Sequence, residues 1–91
     1  MQHFAYRVGM VIERDHDERR AFLTAFGRFL KIERVKRGMT QEEFTDLLGL
    51  DRTFLGLLER GRTGTNIAEL PRMARGLGLK PPDLIPQPEE H

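Results

Sequence analysis

Asp51-Arg52-Thr53-Phe54-Leu55-Gly56-Leu57-Leu58-Glu59-Arg60 decides how this chain folds, because one short helix here carries both a core face and an open face. Asp51 is an N-cap: its carboxylate can accept amide protons of the next turn and sits favourably at the positive helix end. Phe54, Leu55 and Leu58 recur at spacings of three and four, which places an apolar stripe along one side. Arg52, Thr53 and Gly56 fall elsewhere on the wheel. Gly61 closes the helix, since glycine takes the left-handed conformation that a C-terminal cap demands. So short a helix cannot stand alone in water; its stripe must dock on neighbours while the other side stays free.

Those neighbours are legible on both sides. Upstream, Thr40 with Glu43 is a capping box, Gln41 takes the first helical position, and Phe44, Leu47 and Leu48 supply an apolar face. Gly49 and Leu50 then form a tight turn into Asp51, which is the helix-turn-helix arrangement. Further upstream, a helix is expected from about Asp17 to Arg37, with Asp15 or Asp17 as caps. Phe22, Phe26, Phe29 and Leu30 lie on its inner arc and Leu23 at the edge. Glu33 falls on the same arc, where a carboxylate is unwelcome unless a cation meets it. Gly38 ends this helix after Lys36 and Arg37, cations suited to its negative end. Downstream, Arg62-Thr63-Gly64-Thr65-Asn66 is a polar loop, and Asn66 can cap a helix whose inner face is Leu70, Met73, Ala74 and Leu77. Pro71 removes an amide donor, so that helix is distorted in its first turn or starts later. Gly78 stops it, and Pro81 to Ile85 reads as a last turn with two apolar residues to bury.

The 91 residues, 38% hydrophobic, suit one small domain. The absence of cysteine excludes disulfides and thiolate metal sites. With no signal-like or membrane-length apolar run, a cytoplasmic protein is expected. The overall charge of +1 hides an asymmetry: residues 1–18 carry −2, residues 19–80 carry +6 and residues 81–91 carry −3. A basic middle suits a polyanionic nucleic acid, although a solvated cationic face is the bland alternative.

From Phe4 to Ile12, larger apolar residues alternate with Ala5, Arg7, Gly9 and Val11, the period of a strand. Residues 1–16 are therefore an extension, either a strand-like arm that pairs with its copy in another subunit or a tail. Residues 17–85 form the helical domain and residues 86–91 a disordered tail. His16 between Asp15 and Asp17 lacks further ligands at helical spacing, so surface cap chemistry is preferred to a metal, and no metal or cofactor is expected.

Taken together, Gly38-Met39-Thr40-Gln41-Glu42-Glu43-Phe44, Leu50-Asp51-Arg52-Thr53-Phe54 and Leu58-Glu59-Arg60-Gly61 resemble the Cro/C1 (XRE) helix-turn-helix family of phage repressors. Asp51-Arg52-Thr53-Phe54 is similar to the controller proteins of restriction-modification systems. The resemblance covers about residues 22–85 and needs no gap between Arg34 and Gly61. It implies an all-α, compact five-helix, lambda-repressor-like domain that binds double-stranded DNA as a homodimer, with the second helix of the motif in the major groove of a palindromic operator. Carried across, it makes Arg52 and Thr53 readers of base edges, with Gly56 and Leu57 on the same face. Thr40, Gln41, Phe54, Arg60, Arg62, Thr63, Thr65 and Asn66 become contacts to the DNA backbone. Arg34 and Glu59 match a family ion pair, and Leu77, Leu79, Leu84 and Ile85 are candidates for the dimer contact, the alternative being that they close the core. Departures are Thr45 where many relatives have alanine, Glu33 where an aliphatic is common, and Gly56-Leu57 in place of polar residues, which narrows base readout. The segment before about Ala21 has no counterpart in the minimal family domain.

The leading expectation is a sequence-specific transcriptional regulator; an interaction module that keeps the fold without specific readout is the alternative. Neither a small-molecule ligand nor a membrane partner is indicated. No nucleophile–base pair, carboxylate dyad or metal cluster suggests an enzyme.

Overall fold

The computed structural model describes residues 13–87. Among them are four α-helices, α1 (Glu13–Lys36), α2 (Gln41–Leu48), α3 (Arg52–Glu59) and α4 (Leu70–Leu77), with single 3-10 turns at Ile67–Glu69 and Pro81–Leu84. The domain is all-α as expected, but the five-helix count becomes four helices plus two turns. The alternating segment Phe4–Ile12 lies outside the described residues, as does most of the tail at 88–91.

Local chemistry sets most of the boundaries. Thr40 Oγ1 accepts the Glu43 amide at 3.0 Å while Glu43 Oε1 accepts the Thr40 amide at 2.9 Å, so the capping box of α2 is complete. Asp51 Oδ2 accepts the Phe54 amide at 3.1 Å at the start of α3. At its end the Arg62 amide reaches back to Leu57 O at 2.9 Å and the Gly61 amide to Leu58 O at 3.1 Å, a Schellman closure. Asn66 Oδ1 accepts the Ala68 amide at 2.9 Å, but it caps a 3-10 turn. The α-helix begins only at Leu70, with Pro71 in its first turn, where a missing donor costs nothing. α1 starts at Glu13, so Asp15 and Asp17 lie inside it instead of capping it. The expected boundary between residues 16 and 17 therefore falls within a helix.

The core gathers Phe26 and Leu30 of α1, Phe44 and Leu48 of α2, Leu55 and Leu58 of α3, four residues of α4, and Leu84. Truncating any one of the large side chains to alanine should cost on the order of 2–5 kcal/mol. Two assigned core residues are outside it. Leu47 is 59% exposed, because Phe44 and Leu48, one turn apart, already fill the contact of an eight-residue helix. Phe22 is 42% exposed, because it walls an open apolar groove beside Ile67, Leu70 and Ile85 instead of being enclosed by them. Thr45 is buried, and its hydroxyl is satisfied by donating to Glu42 O at 3.0 Å.

Two glycines let α1 lie against α3. A Cβ on Gly27 would stand 2.2 Å from Leu58 O and 2.8 Å from Glu59 O, so the α1 and α3 backbones cross with no room for a side chain. Gly61, at φ +74°, combines the left-handed turn with a similar approach: its missing Cβ would fall 2.8 Å from Thr24 Cα.

Candidate nucleic-acid interface

The position of α3 is fixed by one carboxylate. Glu59 Oε2 accepts Arg34 Nε at 2.7 Å, and Glu59 Oε1 accepts both Arg34 Nη2 and Gln41 Nε2 at 3.0 Å. Arg34 Nη1 donates to Met39 O at 2.7 Å. The end of α3, the body of α1 and the first residue of α2 are thereby tied together, and both charges are buried. Paired fork-to-carboxylate geometry of this kind also fixes orientation, which a single point charge could not do. Arg37 adds a second tie, donating from Nε to Leu77 O at 2.8 Å and thus joining α1 to the end of α4. Its Nη1 meets Glu33 Oε1 at 2.7 Å while Lys36 Nζ meets Glu33 Oε2 at 3.2 Å, so cations do meet the carboxylate. These two hydrogen-bonding cations, Arg37 first, hold the Glu33 carboxyl below its usual value of 4.5.

With α3 held from behind, Arg52 and Thr53 on its first turn are exposed. Leu57 is half-buried further along. Gly56 is covered: the Arg60 guanidinium lies 3.4 Å from where its Cβ would be, so Gly56 does not offer the open base-facing surface expected of it. Arg60 and Arg62 are exposed beyond the helix end.

Several expected backbone contacts are committed elsewhere. Phe54 packs its ring on the core and its amide is taken by Asp51, which leaves it no group for a phosphate. The Thr65 hydroxyl is buried and has no partner among the described residues, so in this arrangement it faces inward rather than to a DNA strand. Gln41 is half-buried with one amide proton on Glu59. Thr40 uses its hydroxyl oxygen in the cap but keeps a proton to donate, and Asn66 keeps its amide NH2. Thr63 is half-buried and makes only a long hydroxyl contact, 3.4 Å, to Gly64 O. Among the dimer candidates, Leu77 and Leu84 are 2% and 1% exposed and belong to the core, whereas Leu79 and Ile85 are half-buried on its rim. Leu77 and Leu84 are corrected accordingly: the last turn of the chain folds back over α4 and encloses them.

The sequence reading missed one set of side chains. His16, Arg19 and Arg20 of α1 line an open groove together with Arg60 and Arg62. Arg19 and Arg20 stand on the expected helix and were the available signal, but the expected strand contacts all lie from Thr40 onward. Among the described residues no cluster of His, Asp and Glu could hold a metal ion, and no helix is long and apolar enough to cross a membrane.

A helix-turn-helix whose second helix is clamped from behind and exposed in front defines a class of DNA-binding regulator, and similarity to known proteins agrees. A family profile described as a helix-turn-helix domain matches residues 25–87. A hypothetical transcription factor of Neisseria meningitidis serogroup B is 34% identical over 61 residues, 67% of this chain and 58% of that protein. This chain thus spans little more than half of that relative. The control protein C.MunI of a Mycoplasma species is 33% identical over 55 residues, 59% of this chain and 74% of that one. The crystal structure of the restriction-modification controller C.AhdI from Aeromonas hydrophila superposes with a TM-score of 0.68 at 34% identity, covering 71% of this chain and 98% of that one. The chain belongs to the helix-turn-helix family of XRE-like transcription regulators, which are not enzymes.

Proposed function

We propose that this chain is a sequence-specific regulator that binds a palindromic operator as a homodimer, with α3 in the major groove and Arg52 and Thr53 reading base edges. The observation that carries this reading is the exposure of those two side chains on the first turn of a helix whose far end is locked by Glu59. An arginine so placed can give two donors to the O6 and N7 acceptors of guanine, and threonine can bond a base or a phosphate. Thr40, Gln41, Arg60, Arg62, Thr63 and Asn66 are the candidates for strand contacts that set register without reading sequence. Pairing two modules adds both affinity and a half-site spacing of about 34 Å. Leu79 and Ile85 on the core rim remain candidates for that contact. The likeness to restriction-modification controllers makes control of such a gene pair the favoured setting, and a DNA partner implies a cytoplasmic site of action.

A second reading, an interaction module without readout, is favoured by the covered Gly56 and by Leu57 on the reading face. Titration of duplex DNA upstream of the protein's own gene at two salt concentrations separates them, followed by a footprint. The regulator reading expects a symmetric footprint and affinity that falls steeply with salt. Affinity indifferent to salt, or none, supports the interaction module instead.

A further inference from the structure

α1 begins at Glu13 and so overshoots the helix-turn-helix body. His16, Arg19 and Arg20 on that overshoot meet Arg60 and Arg62 across an open groove of about 540 Å³ that no carboxylate lines among the described residues. Two pieces of chain some forty residues apart in sequence are held side by side here by the Gly61–Thr24 approach. None of the four guanidiniums has a carboxylate partner among the described residues, and converging like charges favour a shared anion. The guanidinium fork suits phosphate oxygens better than a point charge does. The groove is also continuous with the reading helix, because Arg60, one of its walls, lies over Gly56 on α3.

We infer that this groove takes the sugar-phosphate backbone of the bound duplex beside the base-reading step, so that the start of α1 adds phosphate grip which the minimal helix-turn-helix module lacks. The inference rests on the DNA-binding reading given above. It assigns Arg19 and Arg20 to affinity and leaves discrimination to Arg52.

The test is fluorescence anisotropy with labelled operator duplex over a range of salt, comparing the full chain with Arg20→Gln and with the double variant Arg19→Gln/Arg20→Gln. Both positions are exposed on the helix surface, so folding should hold. Each lost contact should make the slope of log affinity against log salt shallower by about 0.9, roughly eightfold weaker binding at 0.1 M salt, and by the same factor on altered operators. Arg75→Gln, exposed on α4 and outside the groove, should leave the slope as it was. An unchanged slope in the double variant overturns the groove's role while leaving α3's role intact. A change in preference among operators overturns it too, since a strand contact carries no sequence information. Wild-type chain that shows no salt-dependent binding at all removes the DNA reading, and this inference with it.

Discussion

Arg34 and Glu59 meet through two nitrogen–oxygen contacts, Nε to Oε2 at 2.7 Å and Nη2 to Oε1 at 3.0 Å, and this buried pair joins α1 to α3. Removing one partner strands the other charge away from water. Glu59→Ala and Arg34→Ala should each cost about 3–5 kcal/mol, a large share of the stability of so small a domain. Urea melts should show the double variant losing less than the sum of the two, and a single-variant loss under about 1 kcal/mol would contradict the buried geometry.

Gly27 and Gly56 sit on facing helices and should respond to alanine with opposite sign. At Gly27 the new methyl meets immovable backbone, so the loss should reach or exceed the ~1–3 kcal/mol of ordinary overpacking. At Gly56 it meets only the flexible end of Arg60, and helix propensity should raise stability by up to about 1 kcal/mol. Thermal melts of both variants would show it; a destabilised Gly56→Ala would mean that Arg60 cannot move aside.

Arg52→Ala should leave the melting transition in place, since the side chain is exposed. Its loss should cost about 1–3 kcal/mol of discrimination at the guanine it reads, with little change on duplexes already altered there. Competition binding across single-base operator variants is the measurement. If wild type and variant rank all of them alike, Arg52 is not a reader.

Glu33 links pH to stability in a definite direction. Its carboxyl is held below its usual value of 4.5 by Arg37 and Lys36, so the ionised form is favoured by folding. The contribution is present above the unfolded value and is lost as pH falls through the folded one, a window lying below 4.5. Melting temperatures recorded downward from neutral pH should therefore fall more steeply for wild type than for Glu33→Gln in that window. Parallel curves would show that the two cations do not act on this group in solution.

What the sequence disclosed follows from the range of the forces involved. Thr40 with Glu43, Asp51 with Phe54 and Gly61 act within one helical turn, so their roles could be read from neighbours alone. The pairing of Arg34 with Glu59, 25 residues apart, was available only through resemblance to a family. Failures cluster where the fold decides. Leu47 and Phe22 have the right period for a core, yet each stays largely open: Leu47 approaches α4 only with its tip, near Gly76, and Phe22 walls a groove beside Ile67 and Leu70 instead of lying beneath them. Leu77 and Leu84 were offered as a dimer surface, yet each is covered by the other's element in the same chain. The inward Thr65 hydroxyl depends on loop geometry that no periodicity encodes, whereas the covering of Gly56 by Arg60, four residues on at the end of α3, was within reach of helical spacing.

The length of α1 carries a mechanical consequence. Its 24 residues span ~36 Å, close to the 39 Å long axis of the described body. The tightest fastenings to α3, at Gly27 and Arg34, lie in its second half, with the Gly61–Thr24 approach at its midpoint. The first three turns are thus the long arm of a stiff lever pivoting beside the end of α3. A torque applied near Glu13 would be felt as a tilt of α3, and seating the arm on a rigid surface would damp that tilt.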